Sequence, residues 1–132
     1  MRPAAILTGF LTDIGLTFMF SAVVVAIVGG DTPEEMSRRM SSSTELMLSL
    51  ALVGLAFTGI GAYVAAAMAG TRHVEHGVAV GMLSLGLGLG CQLAAPGSAS
   101  SQPGWLQLVG FALTVPVAAL GGWYRKASEP KP

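Results

Sequence analysis

Charge is scarce in this chain. Its 132 residues include only seven Lys or Arg and seven Asp or Glu, with no formal net charge. A soluble domain carries roughly 25% charged residues, so no ordinary water-facing surface can be built from this composition. Without a basic excess there is no footprint for nucleic acid, and none is expected as a partner. Cysteine is nearly absent: Cys91 stands alone in the sequence, which excludes a disulfide within the chain and leaves a small packing residue. Aromatic residues are few as well, with two Trp, two Tyr and five Phe.

The chain does contain long apolar runs, at residues 4–30, 46–70, 77–95 and 105–124. Crossing about 30 Å of hydrocarbon as a helix takes about 20 mostly apolar residues. In lipid only helices and closed barrels satisfy their own backbone, and these runs lack the alternation of barrel strands. The expected fold is therefore an all-α membrane protein, four transmembrane helices in one antiparallel bundle spanning 1–132. About 40 residues remain outside the runs, too few for a separate catalytic domain. The first run is long for the apolar core of a signal peptide, contains Asp13 and ends in Val-Gly-Gly-Asp, so it reads as an uncleaved first span.

With four spans, both termini and the loop between spans 2 and 3 share one side. That side carries Arg2, Arg72, Arg125, Lys126 and Lys131, whereas the other carries only Arg38 and Arg39 beside Asp31, Glu34 and Glu35. The excess of positive charge predicts cytoplasmic termini, in a bacterial cytoplasmic membrane. Trp105 at one end of span 4 and Trp123-Tyr124 at the other fit interfacial anchors.

The first loop carries helix-start signals. Thr32-Pro33-Glu34-Glu35 places a capping threonine, a proline at the first helical position and a glutamate three residues after the cap. This predicts a short amphipathic helix over 33–41, with Met36 and Met40 one turn apart. Ser42-Ser43-Thr44-Glu45 repeats the signal before span 2. Helix capping accounts for these glutamates.

Small residues recur at four-residue spacing, the pattern that lets membrane helices approach closely. Gly61, Ala65 and Ala69 form such a stripe in span 2, Gly77 and Gly81 in span 3, and Gly110 and Gly122 begin and end one in span 4. Gly86, Gly88 and Gly90 resemble a phosphate loop in spacing only, since no strand precedes them and no phosphate-binding lysine comes after. Pro116 removes a backbone donor within span 4 and predicts a kink.

Asp13 is the one formally charged residue deep within a span. Gly9, Asp13, Thr17 and Ser21 recur every turn on the first helix and form a polar stripe. An ionised carboxylate is costly in hydrocarbon, so such a residue faces a partner or water. Counting equal depth from the termini places Tyr63, Ser84 and Thr114 beside it as expected hydrogen-bonding neighbours. It has two candidate roles: a hydrogen bond that fixes packing, or a proton- or cation-exchanging group. The other polar cluster, Arg72, His73, Glu75 and His76, sits on the turn between spans 2 and 3. His73, Glu75 and His76 are ligand types that suit zinc, but their spacing matches no established motif, so an interfacial turn is expected and no metal or other cofactor.

The segment Gly59-Ile60-Gly61-Ala62-Tyr63-Val64-Ala65-Ala66-Ala67-Met68-Ala69-Gly70, followed by His76-Gly77-Val78-Ala79-Val80-Gly81, resembles a pattern in small four-helix bacterial membrane proteins. Those carry Gly-Gly-aromatic-x-Ala, then Ala-Gly, a basic turn and His-Gly-x-x-x-Gly. Here Gly61-Ala62-Tyr63 stands where paired glycines and the aromatic residue are usual. The resemblance covers about a quarter of the chain, implies a tight span 2–turn–span 3 hairpin, and brings no activity. No paired carboxylates, nucleophile–base set or metal cage indicates an enzyme. The sequence thus favours a non-enzymatic membrane protein acting by helix packing as an accessory or assembly subunit, its partners being lipid and other membrane subunits or its own copies. The alternative is a small oligomeric proton- or cation-coupled transporter or channel using Asp13.

Overall fold

The structure is a computed structural model that describes residues 1–29, 32, 35, 38, 39, 42–94 and 103–128. The described residues form four long helices: α1 Pro3–Val28, α2 Thr44–Ala69, α3 His73–Ala94 and α4 Gly104–Ala127. Each is long and apolar enough to cross a membrane, so the chain reads as an integral membrane protein. The boundaries fall within four residues of those expected from the apolar runs. The predicted helix at 33–41, with Met36 and Met40, lies mostly outside the described residues. Within it, the Glu35 N–H donates to Thr32 Oγ1 at 3.2 Å, as the capping pattern requires.

Local chemistry sets the ends. Pro3 opens α1, where its missing N–H costs nothing, and Gly29 closes it at φ 62°. Ser43 caps α2, its Oγ accepting the Leu46 N–H at 3.3 Å, one residue later than the Ser42–Glu45 box suggests. Gly70 ends α2 in the left-handed conformation at φ 68°, and Arg72 also takes positive φ, 51°. Two left-handed residues so close together reverse the chain in three residues, Gly70–Arg72, before α3 begins.

Helices α2 and α3 form the middle of the bundle. Helix α1 packs on α2 and more lightly on α3, while α4 packs on both from another side; the backbones of α1 and α4 do not approach closely. The packing is unevenly distributed along the axes. We call the end that holds the start of α1, the α2–α3 turn and the end of α4 the near end. Nearly every buried residue lies in this half: Ala5, Gly9 and Asp13 of α1, Thr58 to Ala69 of α2, His73 to Gly81 of α3, Ala118 and Gly122 of α4. In the far half the described buried residues are only Met47 and Leu106.

Glycines explain the near-half contact. A Cβ on Gly61 would stand 2.5 Å from the Gly9 carbonyl oxygen, and one on Gly77 would stand 2.5 Å from that of Ala118. Gly81 faces Ala118 and Thr114, and Gly122 abuts the His73 carbonyl. Ala65 and Ala69 are fully buried. Backbone thus lies against backbone, and dispersion over these close contacts substitutes for the hydrophobic drive that lipid does not supply. Gly110 does not belong to this set: nothing lies within 4 Å of a Cβ placed there, because it sits in the far half of α4. Large apolar side chains such as Leu7, Leu11, Phe18 and Ile27 point outward, as they do on a surface solvated by lipid. Trp105 is exposed near the far end of α4, and Trp123 and Tyr124 near the other.

Candidate functional site: an acidic cleft within the membrane span

Asp13 sits where the tightly packed half meets the open half. Its residue is 5% exposed. Helix α1 brings it there because Gly9, one turn earlier, nests against Gly61 and Ala65. That contact fixes the antiparallel register of α1 on α2 and sets Thr58 against the carboxyl group. The Thr58 hydroxyl lies 3.2 Å from Oδ1 and 3.3 Å from Oδ2, and shares its single proton between this carboxyl group and the Gly54 carbonyl at 3.3 Å. From α3, the Ser84 hydroxyl donates to Oδ2 at 2.5 Å. A carboxylate offers about four lone-pair directions, and two hydroxyl protons do not fill them. The nearest basic side chains are at the helix ends: Arg2 precedes α1, Arg72 lies in the turn, Arg125 and Lys126 close α4. Among the described residues no cation pairs with Asp13; Arg39 pairs with Glu35 and Arg72 with Glu75.

Beyond the carboxyl group a cleft of about 420 Å³ extends into the far half. Asp13, Thr58, Ser84 and Thr114 form its polar floor, Thr17 and Ser21 continue a polar edge along α1, and Ile14, Phe18, Leu87 and Phe111 supply apolar wall. Phe111 rests over Gly88, where a Cβ would meet its ring at 3.0 Å. Both α1 and α4 line the cleft although their backbones do not approach closely, and the exposed lining residues Phe18, Leu87 and Cys91 open it to the outer surface of the bundle. Mostly apolar walls around a few convergent polar groups are what binding pockets generally show.

The expected neighbours of Asp13 do not all meet it. Ser84 bonds to it. Thr17 and Thr114 share its cleft, with the Thr114 hydroxyl turned back to the Gly110 carbonyl at 2.8 Å. Tyr63 is elsewhere: it lines the α2–α4 surface, with its ring 6.1 Å from that of Tyr124. Thr58 occupies the place that equal-depth counting assigns to residues 61–63. The error is about one helical turn, and its source is the assumption that all spans begin level. The Gly9–Gly61–Ala65 interlock carries the correct register, because antiparallel pairing of residue 9 with 61–65 places residue 13 beside 57–61.

The histidines of the turn serve structure. His76 is almost fully buried. Its Nε2 accepts the Arg2 backbone N–H at 2.9 Å, so that nitrogen carries no proton, and Nδ1–H donates to the Arg72 carbonyl at 3.0 Å. His76 is thereby the neutral Nδ1–H tautomer, tying the first turn of α1 to the base of α3. His73 Nδ1 lies 3.0 Å from the Ala66 carbonyl, which also accepts the Gly70 N–H at 3.3 Å where α2 ends. Glu75 is exposed and pairs with Arg72 at 3.4 Å. No cluster of three or more His, Cys, Asp or Glu suited to a metal ion occurs among the described residues.

Fold and site together define a class: a small four-helix membrane-spanning protein with an acid at the floor of a cleft inside the span. No protein-family model, curated protein or solved structure matches the chain, so its function has to be argued from this geometry.

Proposed function

We propose that this chain is a non-enzymatic membrane protein that works through helix packing, as an accessory or assembly subunit of a larger membrane complex. The observation that carries this reading is the uneven packing. Gly9, Gly61, Gly77, Gly81, Gly121, Gly122 and a set of buried alanines join the four helices in the near half, whereas the far half keeps an open cleft with an acid at its base and no cation beside it. An acid within the span that is hydrogen-bonded by two hydroxyls but has no cation beside it supports a role in contact with a further subunit, since such residues usually face a partner. The near half would face the cytoplasm, since Arg2, Arg72, Arg125 and Lys126 gather there. The test is the mass and composition of the particle released by mild detergent from its native membrane. Stable association with other, larger subunits supports the reading; a particle built of this chain alone refutes it.

A second reading draws on the reach of the cleft to the carboxyl oxygens. In it Asp13 exchanges a proton or cation within a small oligomeric transporter or channel. Its test is flux through the purified chain in liposomes, with Asp13→Asn as the variant. Flux that survives the substitution removes Asp13 from the mechanism.

A further inference from the structure

We propose that the Asp13 cleft receives a transmembrane helix of another protein, and that this helix carries one lysine or arginine near the middle of its span, set against the Asp13 carboxylate. The inference rests on the assembly reading and names the partner's chemistry.

Charge complementarity is the first ground. Asp13 is held by two neutral hydroxyls and faces the cleft, and a carboxylate in hydrocarbon is stabilised chiefly by an opposite charge brought close. A second copy of this chain cannot supply that charge. All seven of its Lys and Arg, at 2, 38, 39, 72, 125, 126 and 131, lie at or beyond the helix ends, and a twofold contact through the cleft would bring two Asp13 carboxylates together. A hard metal ion is also a poor fit. Calcium takes about 6–8 oxygen ligands, whereas the floor offers one carboxylate and three hydroxyls, of which Thr58 and Ser84 already donate to it.

Shape is the second ground. The lining residues of α1, from Asp13 to Ser21, run eight positions along the axis, about 12 Å at 1.5 Å per residue. The cleft is therefore elongated along the helix direction. Its lining residues Phe18, Leu87 and Cys91 are exposed on the outer surface of the bundle, the side from which another helix approaches. Along that line the polar edge Asp13, Thr17, Ser21 repeats every turn, matching the four-residue rungs of a helix lying alongside. A lysine at the depth of Asp13 would place its ammonium on the carboxylate and its methylene stem along Ile14, Phe18 and Leu87.

Cys91 lies in the cleft and is the chain's lone thiol, so it reports occupancy. The full-length chain in liposomes is mixed with a synthetic Leu/Ala transmembrane helix of about 20 residues bearing a central Lys, or with the same helix bearing Leu there. The rate of Cys91 modification by a membrane-permeant maleimide is measured. The Lys helix is expected to slow it, and Asp13→Asn to raise the Lys-helix concentration needed for half protection by roughly tenfold. Asp13→Lys paired with a helix bearing central Glu restores protection, which a merely misfolded variant cannot do. Equal rates with the Lys and Leu helices overturn the proposal. So does protection by dodecylamine at the same mole fraction as strong as that by the Lys helix, which makes the cleft a small-amphiphile site. If the native particle contains this chain alone while the Lys helix still protects, the assembly reading fails and the recognition chemistry stands.

Discussion

Gly61→Ala tests the close packing of α1 on α2. A Cβ at residue 61 would stand 2.5 Å from the Gly9 carbonyl oxygen and 2.9 Å from the Asp13 Cβ, against 3.4 Å for the onset of ordinary contact. The first obstacle is main chain, which no rotamer change relieves, so α1 must retreat by about 0.9 Å, the difference between 3.4 and 2.5. The same retreat lengthens the Thr58–Asp13 contacts, now 3.2 and 3.3 Å, to about 4 Å and breaks them. Overpacking costs about 1–3 kcal/mol, and the lost interhelical hydrogen bond adds about 0.6 kcal/mol, the average for such bonds in membrane proteins. The expected loss is therefore about 2–4 kcal/mol. Gly110→Ala is the control: nothing lies within 4 Å of its Cβ, and alanine is favoured over glycine within a helix by about 1 kcal/mol. Reversible unfolding in bicelles, followed by steric trapping, gives both values. If Gly61→Ala falls within about 0.5 kcal/mol of the native chain, or Gly110→Ala costs as much as Gly61→Ala, the proposed α1–α2 interlock is wrong.

Ser84→Ala and Thr58→Val each remove a donor to Asp13 and are expected to cost about 0.6–2 kcal/mol, with less than additive loss in the double variant because both act on one carboxyl group; strict additivity in the same unfolding assay would count against a shared site. His76→Phe keeps an aromatic side chain but abolishes the bonds to Arg2 and Arg72, for an expected loss of about 1–3 kcal/mol. Nitrogen NMR of the native chain should show His76 protonated at Nδ1 only, and an Nε2–H signal would contradict the Arg2 contact. Asp13→Asn keeps an acceptor for one of the two hydroxyls and should leave the isolated chain folded, within about 1 kcal/mol of native; loss of co-purifying subunits then points to assembly, and loss of flux with unchanged composition points to transport.

The helices were legible because a bilayer imposes a length and an apolar content that few other structures meet, and all four runs meet it. The near-half contacts were legible in part. Small residues at four-residue spacing mark close approach, and Gly61, Ala65, Ala69, Gly77, Gly81 and Gly122 do lie in backbone contact or full burial. Gly110 carries the same spacing without the contact, because spacing identifies a face and not which faces meet. Asp13 stood out through the cost of its charge, and Ser84 followed from depth alone. Thr58 did not, since a lone threonine in an apolar run signals nothing until the register is known. Likewise His76 looked like part of a polar turn. Only the approach of the Arg2 backbone, 74 positions away in sequence, shows why that histidine is buried.

The two functional readings share one physical premise, that the acid is placed at the boundary between rigid and open packing. Asp13 belongs to the glycine contact, its Cβ lying 2.9 Å from where a Cβ on Gly61 would stand, and its carboxyl group also forms the floor of the cleft, held by Thr58 and Ser84 from two different helices. Those two hydroxyls hold the carboxyl group in position, and the exposed lining residues Phe18, Leu87 and Cys91 leave the cleft open to the outer surface of the bundle. Orientation without neutralisation is what recognition of an incoming charge needs, since a preordered acceptor loses little entropy on binding. The rigid near half supplies the preorder, and the open far half supplies access; neither alone would make the carboxylate a binding group.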